Sequence, residues 1–174
     1  TYLYAGTSGL AAETTIKRSG TASLKVTCSA TDSNFMANYC QAADGVMYTS
    51  MWVYFTAWPA SNLGILQYLD ATDSTWRATI AVTSSGTLVL RRGNTAATQI
   101  GSASSAMSLN TWYCISMKCE DGHASAEIEA RLDGVVFASE TNAATFNSGV
   151  IYFGSCDNIA TCVMYIDDLI VSNS

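Results

Sequence analysis

Apolar and polar residues alternate with a period of two through most of this chain, most clearly from Asn110 to Phe137. Ile115 and Met117 alternate with Ser116 and Lys118. Further on, Ile128, Ala130 and Leu132 alternate with Glu127, Glu129 and Arg131. That period predicts two half-buried strands, with Glu120-Asp-Gly-His as the turn between them. Asp133-Gly134 predicts a second hairpin turn straight into Val135–Phe137. The stretch Val163-Met-Tyr-Ile-Asp-Asp-Leu-Ile-Val171 is the last strand.

Upstream, Leu24, Val26 and Cys28 share one strand face, and Val46–Trp58 is the longest strand candidate. Its odd face, with Met47, Met51, Val53, Phe55 and Ala57, is core by composition. Its even face carries Tyr48, Trp52, Tyr54 and Trp58. A strand apolar on both faces needs cover on both. Leu63–Asp70, Thr75–Thr83 and Thr87–Arg91 follow as strands, and Gly93–Leu109 is a Ser/Thr/Ala-rich excursion with a short strand around Thr98–Gly101. A strand at Gly149–Cys156 precedes the last one. No 3.6-residue stripe and no helix-capping box occurs. The pattern is an all-β, two-sheet antiparallel sandwich of roughly 11–14 strands, a count within the sandwich and jelly-roll range.

Asn110-Thr-Trp-Tyr, a strand ending in Leu-Asp-Gly, and the terminal Tyr-Ile-Asp-Asp-Leu-Ile-Val together resemble the laminin-G-like branch of the concanavalin A-like jelly rolls. Ser19-Gly-Thr-Ala-Ser-Leu-Lys-Val26 resembles that family's opening strand, and Gly64-Ile-Leu-Gln-Tyr-Leu-Asp70 its middle one. The resemblance implies one jelly-roll domain over residues 1–174, with Trp112 buried in the core. It says little about activity, because such folds host many functions.

With 174 residues the chain is long enough to bury a core. Net charge is −6, and Lys and Arg show no basic footprint, so nucleic acid is excluded as a partner. No apolar run is long enough to insert in a membrane as a helix. The lack of an initiator methionine points to a processed, mature protein. Charged residues make up only 13%, against roughly 25% in an average domain. Either Ser and Thr clothe an extracellular surface, or much surface is covered by copies of the same chain.

Six cysteines without a Cys-x-x-Cys pair point to disulfides in an oxidising, extracellular setting. Cys156 and Cys162 flank a short turn and are the expected pair. Cys114 and Cys119 sit on opposite faces of one strand, about 16 Å apart if extended, too far for a bridge. Cys28 and Cys40 would then each look to Cys114 or Cys119. Buried thiols are the plainer alternative.

Catalytic chemistry is thinly represented. Glycosidases of the resembled fold place acids at alternate positions of one strand, and Glu127 and Glu129 have that spacing. Arg131 and Leu132 stand where a third acid is expected. His123 is the lone histidine, which leaves a nucleophilic triad no base nearby. The resemblance also admits calcium, with Asp70 and Asp73 as its loop ligands; turn-forming aspartates are the plainer account.

The aromatic row Tyr48, Trp52, Tyr54 and Trp58, with Arg77 nearby to hold hydroxyls, is the candidate site. It serves equally as a sugar platform, a subunit interface or an intramolecular cover. Two functions follow as expectations. One is a non-enzymatic extracellular subunit, self-assembling into a filament or virion surface layer. The other is a carbohydrate-binding module of a secreted polysaccharide-active system.

Overall fold

Antiparallel pairing in two seven-stranded sheets organises the chain, as a computed structural model of residues 3–5, 9–28, 34–39, 45–70, 75–120, 126–141, 149–155 and 160–173 shows. The first sheet runs β1 (Leu3–Ala5), β4 (Asn34–Tyr39), β13 (Gly149–Ser155), β6 (Leu63–Asp70), β7 (Trp76–Val82), β8 (Leu88–Arg91) and β9 (Gln99–Ile100). The second runs β12 (Val135–Thr141), β11 (Glu127–Leu132), β10 (Trp112–Glu120), β5 (Val46–Phe55), β14 (Cys162–Asn173), β3 (Ser23–Cys28) and β2 (Leu10–Glu13). Among the described residues there is no helix. The all-β antiparallel sandwich expected from the alternation is the fold.

The core follows from the period-two pattern. Met47, Met51, Val53 and Phe55 of β5, with Ile115 and Met117 of β10, face Leu63, Leu66 and Tyr68 of β6 and Ile80 of β7. A polar link crosses this interior. Thr49 Oγ1 and Tyr68 Oη, both almost wholly buried, hydrogen-bond at 2.7 Å from opposite sheets.

Local chemistry sets the turns. Asp133 and Gly134 both have positive φ (49° and 81°), the two-residue hairpin turn expected of Asp-Gly. The Asp133 carboxylate also accepts a 2.8 Å bond from Cys114 N. In β14 the register slips between Asp167 and Ile170, where Asp168 takes φ 46°. This one-residue bulge changes which side chains face inward. Met164 and Ile166 point to the core before it, Leu169 and Val171 after it.

The cysteine pairing differs from expectation. Register places Cys162 of β14 opposite Cys28 of β3, with the sulfurs 3.1 Å apart. Cys28, expected to look to Cys114 or Cys119, is therefore the cross-strand neighbour of Cys162. Cys156 and Cys40 lie outside the described residues. Neither Cys114 nor Cys119 meets Cys28: Cys114 stands on the outer face, 3.5 Å from Ser50 Oγ, and Cys119 is buried between the sheets. Burial and the hydrogen bond with Cys28 push the Cys162 thiol pKa up, the bond being the larger cause.

Candidate functional site

The outer face of the second sheet gathers most of the exposed aromatic and charged side chains the sequence singled out. Along β5, Tyr48, Ser50, Trp52 and Tyr54 alternate with buried residues. From Tyr48 to Tyr54 the strip is about 20 Å long, at roughly 3.4 Å per residue. Cross-strand register sets Trp112 and Tyr165 on either side of Tyr54. The Tyr54 and Trp112 rings lie 5.3 Å apart at 50°, and Tyr165 packs edge-on to Tyr54 at 5.8 Å. Tyr165 is almost fully covered at 6% exposure. It backs Tyr54, and Tyr54 and Trp112 keep part of their surface open.

Trp112 thus departs from the core position implied by the resemblance. Its even position puts it with Cys114, Ser116 and Lys118, opposite in phase to buried Ile115 and Met117. Asn110 starts the approach to this strand in a left-handed conformation (φ 59°), with its N–H bonded to Phe55 O at 2.9 Å. Its side chain accepts a bond from Tyr54 Oη at 3.3 Å.

Trp52 is covered within the chain. Arg18, ion-paired with Asp168, lays its guanidinium 3.7 Å from the centre of the Trp52 ring. Asp167 accepts the backbone N–H groups of Arg18 and Ser19, at 2.8 and 3.1 Å, and Ser19 Oγ donates to Asp168. The bulged aspartates of β14 therefore strap this segment across the sheet. Hydrogen bonding from Ser19, then the Arg18 charge, holds the Asp168 carboxyl below its ordinary pKa.

Beyond Trp52 the strip opens into a cleft of about 620 Å³, lined among others by Tyr48, Ser50, Ser116, Lys118, Glu127 and Arg131. Tyr48 is 45% exposed. Lys118 Nζ bridges Glu120 and Glu127 at 2.7 and 2.9 Å, and Arg131 Nε meets Glu129 at 2.6 Å. The bonds to Glu120 and then Glu127 raise the Lys118 pKa, and Glu129 raises that of Arg131. Both cations are locked in their charged forms by carboxylates of the same face.

Two residues expected beside this row stand elsewhere. β5 ends at Phe55, so Trp58 leaves the even face and packs on Phe55 at 5.3 Å. Pro59 restricts the backbone just before it, which turns the chain away from the sheet. The Trp58 ring lies under Gly86 (φ 75°), where an added Cβ would stand 2.5 Å away. Arg77 belongs to the opposite sheet, as the extra residue of a bulge in β7, and bonds buried Asp70 at 3.0 Å. Asp70, one of the two calcium candidates, is thus engaged with a guanidinium, and Asp73, the other, lies outside the described residues. Among the described residues no group of three metal-ligating side chains converges.

Solved structures share this architecture. The cellulose-induced protein Cip1 matches 97% of this chain and 86% of its own, with TM-score 0.71 and 17% identity. The fold is the concanavalin A-like jelly roll. Another jelly roll of this kind, the alginate lyase AlgAT5 of polysaccharide lyase family 7, matches 91% of this chain and 81% of its own, with TM-score 0.67 and 12% identity. A Trypanosoma rangeli sialidase matches 93% of this chain over 27% of its own length, with TM-score 0.64 and 12% identity. No protein-family model matches the chain, and no curated protein matches it significantly. The jelly roll is thus shared with enzymes. These neighbours overturn the expectation of a self-assembling filament or virion-surface subunit: they are titled a cellulose-induced protein, an alginate lyase and a sialidase.

Proposed function

We propose that the protein is a non-enzymatic polysaccharide-binding module that works outside the cell, as part of a secreted polysaccharide-active system. The observation that carries this is the strip from Trp112 and Tyr54 to the Tyr48 cleft. Half-open aromatic rings offer faces for the C–H patches of sugar rings, and Ser50, Ser116 and the charged residues beside them offer hydroxyl partners. A strip of about 20 Å suits an extended polymer better than a single sugar. Several structural neighbours carry polysaccharide chemistry in their titles, which favours the same reading. Six cysteines support a secreted setting.

Binding without catalysis is favoured by the state of the cleft. Glu127 and Glu129 are each tied to a cation, whereas a glycosidase pair needs two carboxyls in opposed environments. The test is affinity electrophoresis through gels cast with soluble polysaccharides. Trp112→Ala should weaken retention at least tenfold, about 1.4 kcal/mol, with an unchanged circular-dichroism spectrum. Undiminished retention in that variant, or release of reducing or unsaturated sugar ends by the wild-type protein, would count against the proposal.

A further inference from the structure

We infer that the strip takes a single, uncharged polysaccharide chain, in preference to an anionic polymer or a crystalline glycan surface; this rests on the polysaccharide-binding reading above. Charge comes first. Among the described residues of this face, Arg18, Lys25, Lys118 and Arg131 stand with Glu13, Glu120, Glu127, Glu129, Asp167 and Asp168. Three of the four cations already have carboxylate partners: Arg18 with Asp168, Lys118 with Glu120 and Glu127, Arg131 with Glu129. A polyuronate brings one carboxylate per sugar. To reach Lys118 or Arg131 it would have to displace a tethered carboxylate and then lie beside it as a like charge. The chain's net charge of −6 adds a repulsive field on approach. Uncharged hydroxyls meet no such penalty, and the Glu127 and Glu129 oxygens can accept bonds from them.

Ring orientation decides the second point. A crystalline surface is flat, so a site for it needs aromatic faces in one plane. Tyr54 and Trp112 are neighbours tilted at 50° to each other, and the Arg18 guanidinium stands over the Trp52 ring between them and the Tyr48 cleft. No flat solid can rest on both open rings at once. A hydrated chain can, because successive sugars rotate about their linkages.

The experiment uses the full chain at low ionic strength. Hydroxyethyl cellulose, laminarin and galactomannan serve as uncharged soluble polymers, alginate and polygalacturonate as anionic ones, and microcrystalline cellulose as the solid. The expected result is retention by at least one uncharged polymer, with a Kd at least tenfold below that for either polyuronate, and no depletion onto the solid. In Glu127→Gln/Glu129→Gln, polyuronate affinity should rise at least tenfold and become salt-sensitive, because Arg131 loses its partner and Lys118 loses one of two. Equal or tighter polyuronate binding by the wild type overturns this inference and leaves the polysaccharide-binding reading standing. Depletion onto microcrystalline cellulose without retention by any soluble chain does the same. A folded Glu127→Gln/Glu129→Gln protein with unchanged polyuronate affinity also overturns it. Absence of retention by every polymer sinks both.

Discussion

Arg18 lies with its guanidinium carbon 3.7 Å from the centre of the Trp52 ring, and Asp168 holds it there. These residues are far apart in sequence, and together they decide which aromatic rings of the strip stay open. Arg18→Ala should uncover Trp52, shift its emission to the red and cost about 1 kcal/mol in urea unfolding, since an exposed cation–π contact contributes about 0.5–1 kcal/mol. Arg18→Lys should recover little of it, because an ammonium lacks the flat guanidinium that stacks. Unchanged emission in Arg18→Ala would show that the contact does not persist in solution.

The strap should also be acid-labile. The Asp168 carboxyl is lowered by Ser19 and then Arg18. A depressed folded pKa means that the contribution is complete above the ordinary aspartate pKa of about 3.9. It is lost as pH falls through the lower, folded value. Tryptophan emission followed from pH 6 down to 2 should show a transition below about 3.9 in the wild type. Asp168→Asn should lack it.

How much of this was legible in the sequence depends on which contacts are local. Period-two alternation gave the strands of both sheets, and Asp133-Gly134 gave its turn, because those signals act within a few residues. The face of Trp112 was legible too: Ile115 and Met117 fix the phase of β10, and an even position follows as outer. Resemblance to a buried tryptophan obscured that parity. The strap of Arg18 on Trp52 and the meeting of Cys28 with Cys162 were not legible, because they depend on strand order across a sheet. Arg77 fell out of the site for the same reason. β2 was missed because Leu10–Glu13 offers only four residues and no clear alternation.

The Thr49–Tyr68 bond joins the two sheets through a mainly apolar interior. Tyr68→Phe should cost about 1–3 kcal/mol, the range for orphaning a buried polar group. Thr49→Val should fall in the same range. The double variant should be less destabilised than the sum by about 0.5–1.5 kcal/mol. Strict additivity in denaturant melts would show that the bond contributes nothing of its own.

Cys28 and Cys162 are set directly opposite each other. Directly opposed residues in antiparallel strands have Cα atoms about 4.5–5.5 Å apart, inside the span of a disulfide. Mild oxidation should therefore link them, and a non-reducing peptide map should yield a Cys28–Cys162 fragment. Cys162 recovered only with another cysteine would contradict the register of β14 on β3.

The bulge at Asp168 makes one deletion in β14 tolerable where its neighbours would be ruinous. Asp168 is the surplus residue, so removing it would straighten the strand and leave its phase intact, with Ile166, Leu169 and Val171 still inward and Asp167 and Ile170 still outward. The hydrophobic interior would therefore survive. What would go is the carboxylate that holds Arg18 over Trp52. A single-codon deletion would thus unlatch the strap without a substitution in either residue of the stacked pair.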